Sequence, residues 1–281
     1  MALPVRFGVL RALVKEIAVS SGDAKPLVVG GARELAVVLR RELGQDARAG
    51  AVRADDAAAG GAVLVYVLGR EPSDDDEAAL KRARRARVPI VVVAAGELAD
   101  DVSIPYVLAT DVVRVSRGQG FPLDEIARVI AARLGEDGAP LAARVPVLRR
   151  AVTETLISTF SRKCGIVGAA VFIPGADLPV ILVHQLRLVL RLEQAYGLEI
   201  DPRERLPELA ATLGAGLGLR ALARELLDLV PVAGWAVKGA VSYAGTRALG
   251  EATVRTLESR TLLSIRLPFR PPRAGASPAA P

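Results

Sequence analysis

Gly30 and Gly31 stand between an apolar run, Leu27 to Val29, and an amphipathic stretch, Glu34 to Leu43, the order in which a phosphate-cradling loop begins. A P-loop reads G-x-x-x-x-G-K-[ST], because backbone N–H groups surround the phosphates, lysine neutralises the β and γ oxygens and the hydroxyl holds magnesium. Counted from Gly30, the last three positions are Leu35, Ala36 and Val37; counted from Gly31, they are Ala36, Val37 and Val38. The dinucleotide pattern G-x-G-x-x-G fails as well, with Ala32 and Leu35 at its later glycine sites. The pair is therefore expected to be a structural strand-to-helix turn, a degenerate loop holding no cofactor.

A second group of reactive side chains follows the Pro174-Gly175 turn. Asp177, ahead of Leu178-Pro179, has the position of a helix N-cap, whose carboxylate accepts from unpaired backbone N–H groups. His184 falls two turns beyond Asp177 on a similar helix face, beside Gln185, and Arg187 and Arg191 extend that polar stripe. A histidine near a carboxylate can move protons. No serine or cysteine nucleophile shares the stretch, so a hydrogen-bonded interior histidine or an inter-domain contact outweighs catalysis. Pro174, Gly175, Asp177, Pro179, His184, Gln185 and Arg187 are thus candidate interaction or structural residues, and no catalytic residue is assigned. Cys164 follows Arg162-Lys163 and is expected as a small buried residue. One cysteine and one histidine exclude an internal disulfide and leave no cluster for zinc.

The elements that must position these residues fall into two kinds. From Lys25 to about Leu134, short β-branched runs alternate with helical stretches, the pattern of βαβ units and a parallel sheet. Strands are expected at Leu27–Val29, Ala49–Arg53, Val63–Leu68, Ile90–Val93 and Tyr106–Leu108. Helices are expected at Glu34–Leu43, at Asp74–Arg87, which opens on carboxylates and closes on arginines, and at Pro122–Leu134. "GEDGAP", Gly135–Pro140, reads as a hinge, and beyond it only helical periodicity remains: Val145–Phe160, Leu178–Tyr196 stopped by Gly197, further segments within 201–229, and Gly234–Leu257. The expected organisation is an amphipathic N-terminal helix (1–22), an α/β domain (25–135), an Ala/Gly-rich helical bundle (145–260) and a disordered proline-rich tail (268–281).

The 281 residues are 51% hydrophobic but only 4% aromatic, so aliphatic side chains must build the core. The formal charge of +6 comes mostly from arginine, with no aromatic interleaving and no reading motif, so no nucleic acid partner is expected. Charges interrupt every apolar run of the N-terminus, which excludes a secretory signal and leaves an amphipathic helix that packs on the protein or on a lipid surface. Asp177, Arg187, Glu208, Arg220, Glu225 and Lys238 likewise break the C-terminal half below the length of a spanning helix. Gly165 and Gly168, Gly214, Gly216 and Gly218, and Gly234 and Gly239 permit close helix contact, and the helical half is expected to offer an apolar, glycine-lined docking surface.

On these residues, 25–135 resembles an Era-like GTPase domain that has lost its site. "VPIVVVAAGEL", Val88–Leu98, sits where such GTPases carry a strand followed by Asn-Lys-x-Asp; the four motif positions here are Ala95, Gly96, Glu97 and Leu98. The Asp-x-x-Gly magnesium motif also fails, since Ala59 stands where glycine is needed after Asp56. A domain without phosphate, magnesium and guanine contacts is not expected to hydrolyse GTP. "FIPGADLPVILVHQLRLVLRLEQAYG" and "LVPVAGWAVKGAVSYAGTRALGEA" resemble the YcjF-like, GTPase-associated helical domain of unknown function. That resemblance implies a bacterial protein linked to an Era-like GTPase, cytoplasmic with peripheral contact at the inner membrane, and it carries no catalytic residues. The expected function is a non-catalytic scaffold. A divergent nucleotide hydrolase and a membrane-inserting helical protein are the alternatives, and the sequence gives no oligomeric state.

Overall fold

The structure is a computed structural model that describes residues 7–22, 24–54, 60–96, 103–116, 118–170, 178–198 and 234–266. The expected helices within 201–229, the tail at 268–281, and Pro174, Gly175 and Asp177 lie outside the described residues. Five strands form one parallel sheet: β1 (Leu27–Gly31), β2 (Val52–Ala54), β3 (Val63–Leu68), β4 (Ile90–Ala95) and β5 (Val112–Val115), in the order β2-β1-β3-β4-β5. The helices are α1 (Phe7–Gly22), α2 (Arg33–Leu43), α3 (Asp74–Arg85), α4 (Leu123–Leu134), α5 (Gly138–Arg144), α6 (Arg149–Ala170), α7 (Leu178–Ala195) and α8 (Gly234–Arg266). The expected parallel sheet followed by helices is present.

Strand alternation divides the sheet's side chains between two layers. Val28, Leu64, Tyr66 and Val92 meet Leu80 and Ala83 of α3 on one face. Leu27, Val29, Val65, Val91 and Val113 meet Leu39 and Leu43 of α2 and Ile126 and Ile130 of α4 on the other. All six residues of β3 are buried, as a strand covered on both faces requires. Along α2 the inward positions are Leu35, Leu39 and Leu43, and Val38 is 47% exposed. α3 begins at a capping box: Ser73 Oγ accepts from Asp76 N, and the Asp76 carboxylate accepts from Ser73 N at 2.9 Å. Burial raises the Asp76 pKa, but hydrogen bonds from Ser73 and Tyr66 and the Arg70 charge outweigh it and hold the carboxyl below its usual value.

The strand expected at Tyr106–Leu108 is not one. Tyr106 has a φ of +67° and Leu108 is 61% exposed, so this stretch turns, and the edge strand begins at Val112 with Val113 and Val115 facing the core. The Gly135–Pro140 hinge is also corrected. Gly135–Asp137 is a 3-10 turn that runs into α5, whose Gly138, Ala139, Pro140, Leu141 and Ala142 are buried. One apolar core therefore runs from the sheet through α4 to Val152, Leu156 and Phe160 of α6 and Leu188 and Leu192 of α7.

α6 extends ten residues past the expected end at Phe160, and α8 runs to Arg266. These two helices lie antiparallel and close: a Cβ on Gly239 would meet Gly165 O and Ala169 Cβ, each at 2.9 Å, and one on Gly250 would meet Ile157 Cγ1 at 2.7 Å. α1 packs across α7, with Leu13 and Ile17 buried against Leu186, Val189 and Leu190. Of the two surfaces open to the N-terminal helix, the protein's own supplies this contact.

Candidate functional site

Where the chain changes its direction of progress across such a sheet, ligands bind outside the carboxyl ends of the strands. That point here is β1, with β2 on one side and β3 on the other. β1 ends at Gly31 and α2 starts at Arg33, so a single residue, Ala32, makes the turn. Ala32 N donates to Val67 O at 2.8 Å, and Gly31 has a φ of +98°. A Cβ on Gly31 would lie 2.1 Å from Val67 O. Glycine is needed because the neighbouring strand's backbone occupies the space. A cleft of about 250 Å³ beside the turn is lined by Gly30, Gly31, Arg33 and Arg40. No loop lies between strand and helix to wrap a phosphate chain there.

The second candidate group lies on α7, where the structure brings Gln185 and Arg187 into a polar layer beneath α1 and α8. Gln185, buried, donates Nε2–H to Thr246 Oγ1 at 3.0 Å, and Thr246 donates in turn to Ser242 O at 2.8 Å. Arg187 pairs with Glu16 of α1 through Nη2 and with Glu136 Oε2 through Nε at 3.3 Å. The other Glu136 oxygen accepts from Lys163 Nζ at 2.6 Å, and that ammonium sits 5.2 Å from the Phe160 ring centre. One turn further on, Arg191 donates to Ser20 Oγ at 3.1 Å and to Gln194 Oε1 at 2.9 Å; Gln194 Nε2 donates to Ile17 O at 3.1 Å. These bonds fasten α1 across the bundle, and Glu16, Glu136 and Lys163 are members that local sequence spacing does not reveal.

His184 is half-buried, its ring centre 6.2 Å from that of Phe160. Burial lowers its pKa, the Lys163 and Arg187 charges lower it further, and Glu136 opposes them, so the imidazole is neutral at neutral pH. No hydroxyl or thiol is hydrogen-bonded to it among the described residues, and Cys164 is buried, as expected. Pro179 occupies the first turn of α7, half-buried. The polar stripe is connected to structural partners. At its far end Tyr196 donates to Glu258 Oε1 at 3.2 Å under the Arg149 guanidinium, and burial together with Glu258 pushes the phenol up to about 12.

Of the glycines expected to line a docking face, Gly214, Gly216 and Gly218 lie outside the described residues, and those of α6 and its partner stretch of α8 face each other. Gly168 and Gly239 are buried between α6 and α8, and Tyr243 lies over Gly165. The exposed large apolar side chains described on these helices are Ile166 near the end of α6, Val180 at the start of α7 and Val241 near the start of α8, at 68%, 44% and 38%. The antiparallel course of these helices puts all three in the half of the bundle away from the Arg149–Ala195 contact at its base. Among the described residues no group of His, Cys, Asp and Glu could hold a metal ion, and no helix is long and apolar enough to cross a membrane. No family model matches the chain, and no curated protein matches it.

Proposed function

We propose that this chain is a non-catalytic interaction scaffold of a bacterial GTPase-associated system, working at or near the inner membrane. The observation that carries this reading is the one-residue β1–α2 turn, closed on the Val67 backbone where a nucleotide-binding sheet would open a phosphate loop. The missing lysine, hydroxyl and guanine-reading residues agree with it. The polar layer on α7 supports a structural role as well, since its Gln185, Arg187 and Arg191 are spent on holding α1 and α8.

Docking then falls to the exposed aliphatic end of the bundle, with an Era-like GTPase as partner. Ile166→Asp with Val180→Asp changes only exposed positions, so the melting temperature is expected to stay within a few degrees. Affinity for an Era-like GTPase of the same organism, read by calorimetry or co-elution, is expected to fall at least about tenfold, the scale of losing a central apolar contact. Unchanged affinity in a folded double variant would move docking away from this end.

A further inference from the structure

At the opposite end of the strands from the glycine turn, a cleft of about 380 Å³ opens among the starts of β1, β3 and β4 and the ends of α3 and α4. Its volume lies within the range of small-molecule sites. Lys25, ahead of β1, and Arg87, between α3 and β4, line it; both are exposed, and neither has an ion-pair partner among the described residues. Arg133 adds a third cation, its Nε held by the Asp111 carboxylate and its Nη2 by Thr110 Oγ1, which fixes the guanidinium at the wall. One carboxylate, the exposed Asp137, also lines the cleft, so the lining carries three cations against one anion. Val88, Leu134 and Leu141 supply apolar surface.

The helix dipole accounts for part of this charge. Arg82, Arg84 and Arg85 occupy the last turn of α3, where cations offset the exposed carbonyls. Arg87, directly after the C-cap Ala86, stands at the same negative end, but the dipole does not account for Lys25, which precedes β1. With Arg133 paired to Asp111 and Asp137 facing the two unpaired cations, the lining keeps a net positive charge, which favours an anion. A concave lining with apolar surface suits a ligand that enters, and it contains no aromatic residue on which a base could stack.

We infer that this cleft binds a phosphate-monoester head group carried on a short apolar body, the phosphate between Lys25 and Arg87 and the body against Val88 and Leu134. The inference is independent of the scaffold reading, because it uses neither the glycine turn nor the bundle end. Two sources share this chemistry, a soluble phosphate ester and a phosphatidic acid head group.

The test uses the full chain with hexyl phosphate by calorimetry, and with phosphatidylcholine vesicles with or without phosphatidic acid by sedimentation. Saturable binding in either arm, weakened by raising salt from about 50 to about 200 mM and at least about tenfold weaker in Lys25→Glu/Arg87→Glu, supports the site; the arm that responds names the source. Both replaced side chains are exposed and unpaired, so an unchanged melting temperature certifies the variant. Binding in neither arm, or equal binding by the folded double variant, would overturn the site. Inorganic phosphate that binds as tightly as hexyl phosphate would overturn the assignment of an apolar body.

Discussion

Gly31→Ala is expected to destabilise the fold by roughly 3 kcal/mol or more, the scale reached when backbone strain and a core clash coincide. Its φ of +98° costs any side chain, and its Cβ would stand 2.1 Å from Val67 O, so β1 and β3 must separate or the turn must rebuild. Gly50→Ala is the control. Gly50 has a φ of +71°, but a Cβ there would meet nothing within 4 Å, so only the left-handed strain of about 1 kcal/mol applies. Urea denaturation of the two variants separates strain from contact. A Gly31 variant no more costly than the Gly50 variant would mean that Val67 does not close the turn, and the room for a phosphate loop would return.

Phe160→Ala is expected to cost about 3–5 kcal/mol, the range for removing a fully buried aromatic ring. Phe160 is 0% exposed and stands where the sheet-side core meets the polar layer. It belongs to the same core cluster as Leu156 and Leu188, faces His184 and carries Lys163 over its ring. Its removal should also move the His184 imidazole resonances, whose ring lies 6.2 Å away. Phe160→Leu retains most of the volume and is expected to cost about 1 kcal/mol. A loss below about 1 kcal/mol for the alanine variant would show that the bundle does not depend on this junction.

What the sequence makes legible follows from the range of the forces involved. β3 matches its expected bounds because a strand buried on both faces must be apolar without a break, and Val63–Leu68 is. α3 is legible because its acidic start and basic end are local responses to the helix dipole. β5 lies later than expected because Val107-Leu108 and Val112-Val113 are equally β-prone; the left-handed Tyr106 and the inward side chains of Val113 and Val115 decide between them. The expected hinge is replaced by packed helix for a related reason. Two glycines and a proline suggest a break, yet Gly138 packs closely beneath Val152 of α6, where a Cβ would come within 3.3 Å of Cγ2.

The candidate residues show the same division. That Gly30-Gly31 is a structural turn can be argued from the absent lysine and hydroxyl, while the Val67 carbonyl that makes Gly31 necessary comes from a strand 36 positions away. Helical spacing marks His184, Gln185 and Arg187 but not their partners. Arg187 meets Glu16 across 171 positions and Gln185 meets Thr246 across 61, separations that no local pattern encodes. The small-residue spacing at Gly165 and Gly168 signals close contact correctly and leaves the partner open; α8 fills it.

Calorimetric titration of the intact chain with magnesium and GTP tests the central claim most directly. A scaffold with a one-residue β1–α2 turn should give no saturable heat in the micromolar range, and no phosphate release on prolonged incubation. A micromolar dissociation constant, or turnover abolished by Gly30→Val in a protein that still folds, would contradict the scaffold reading and make this chain a divergent nucleotide hydrolase.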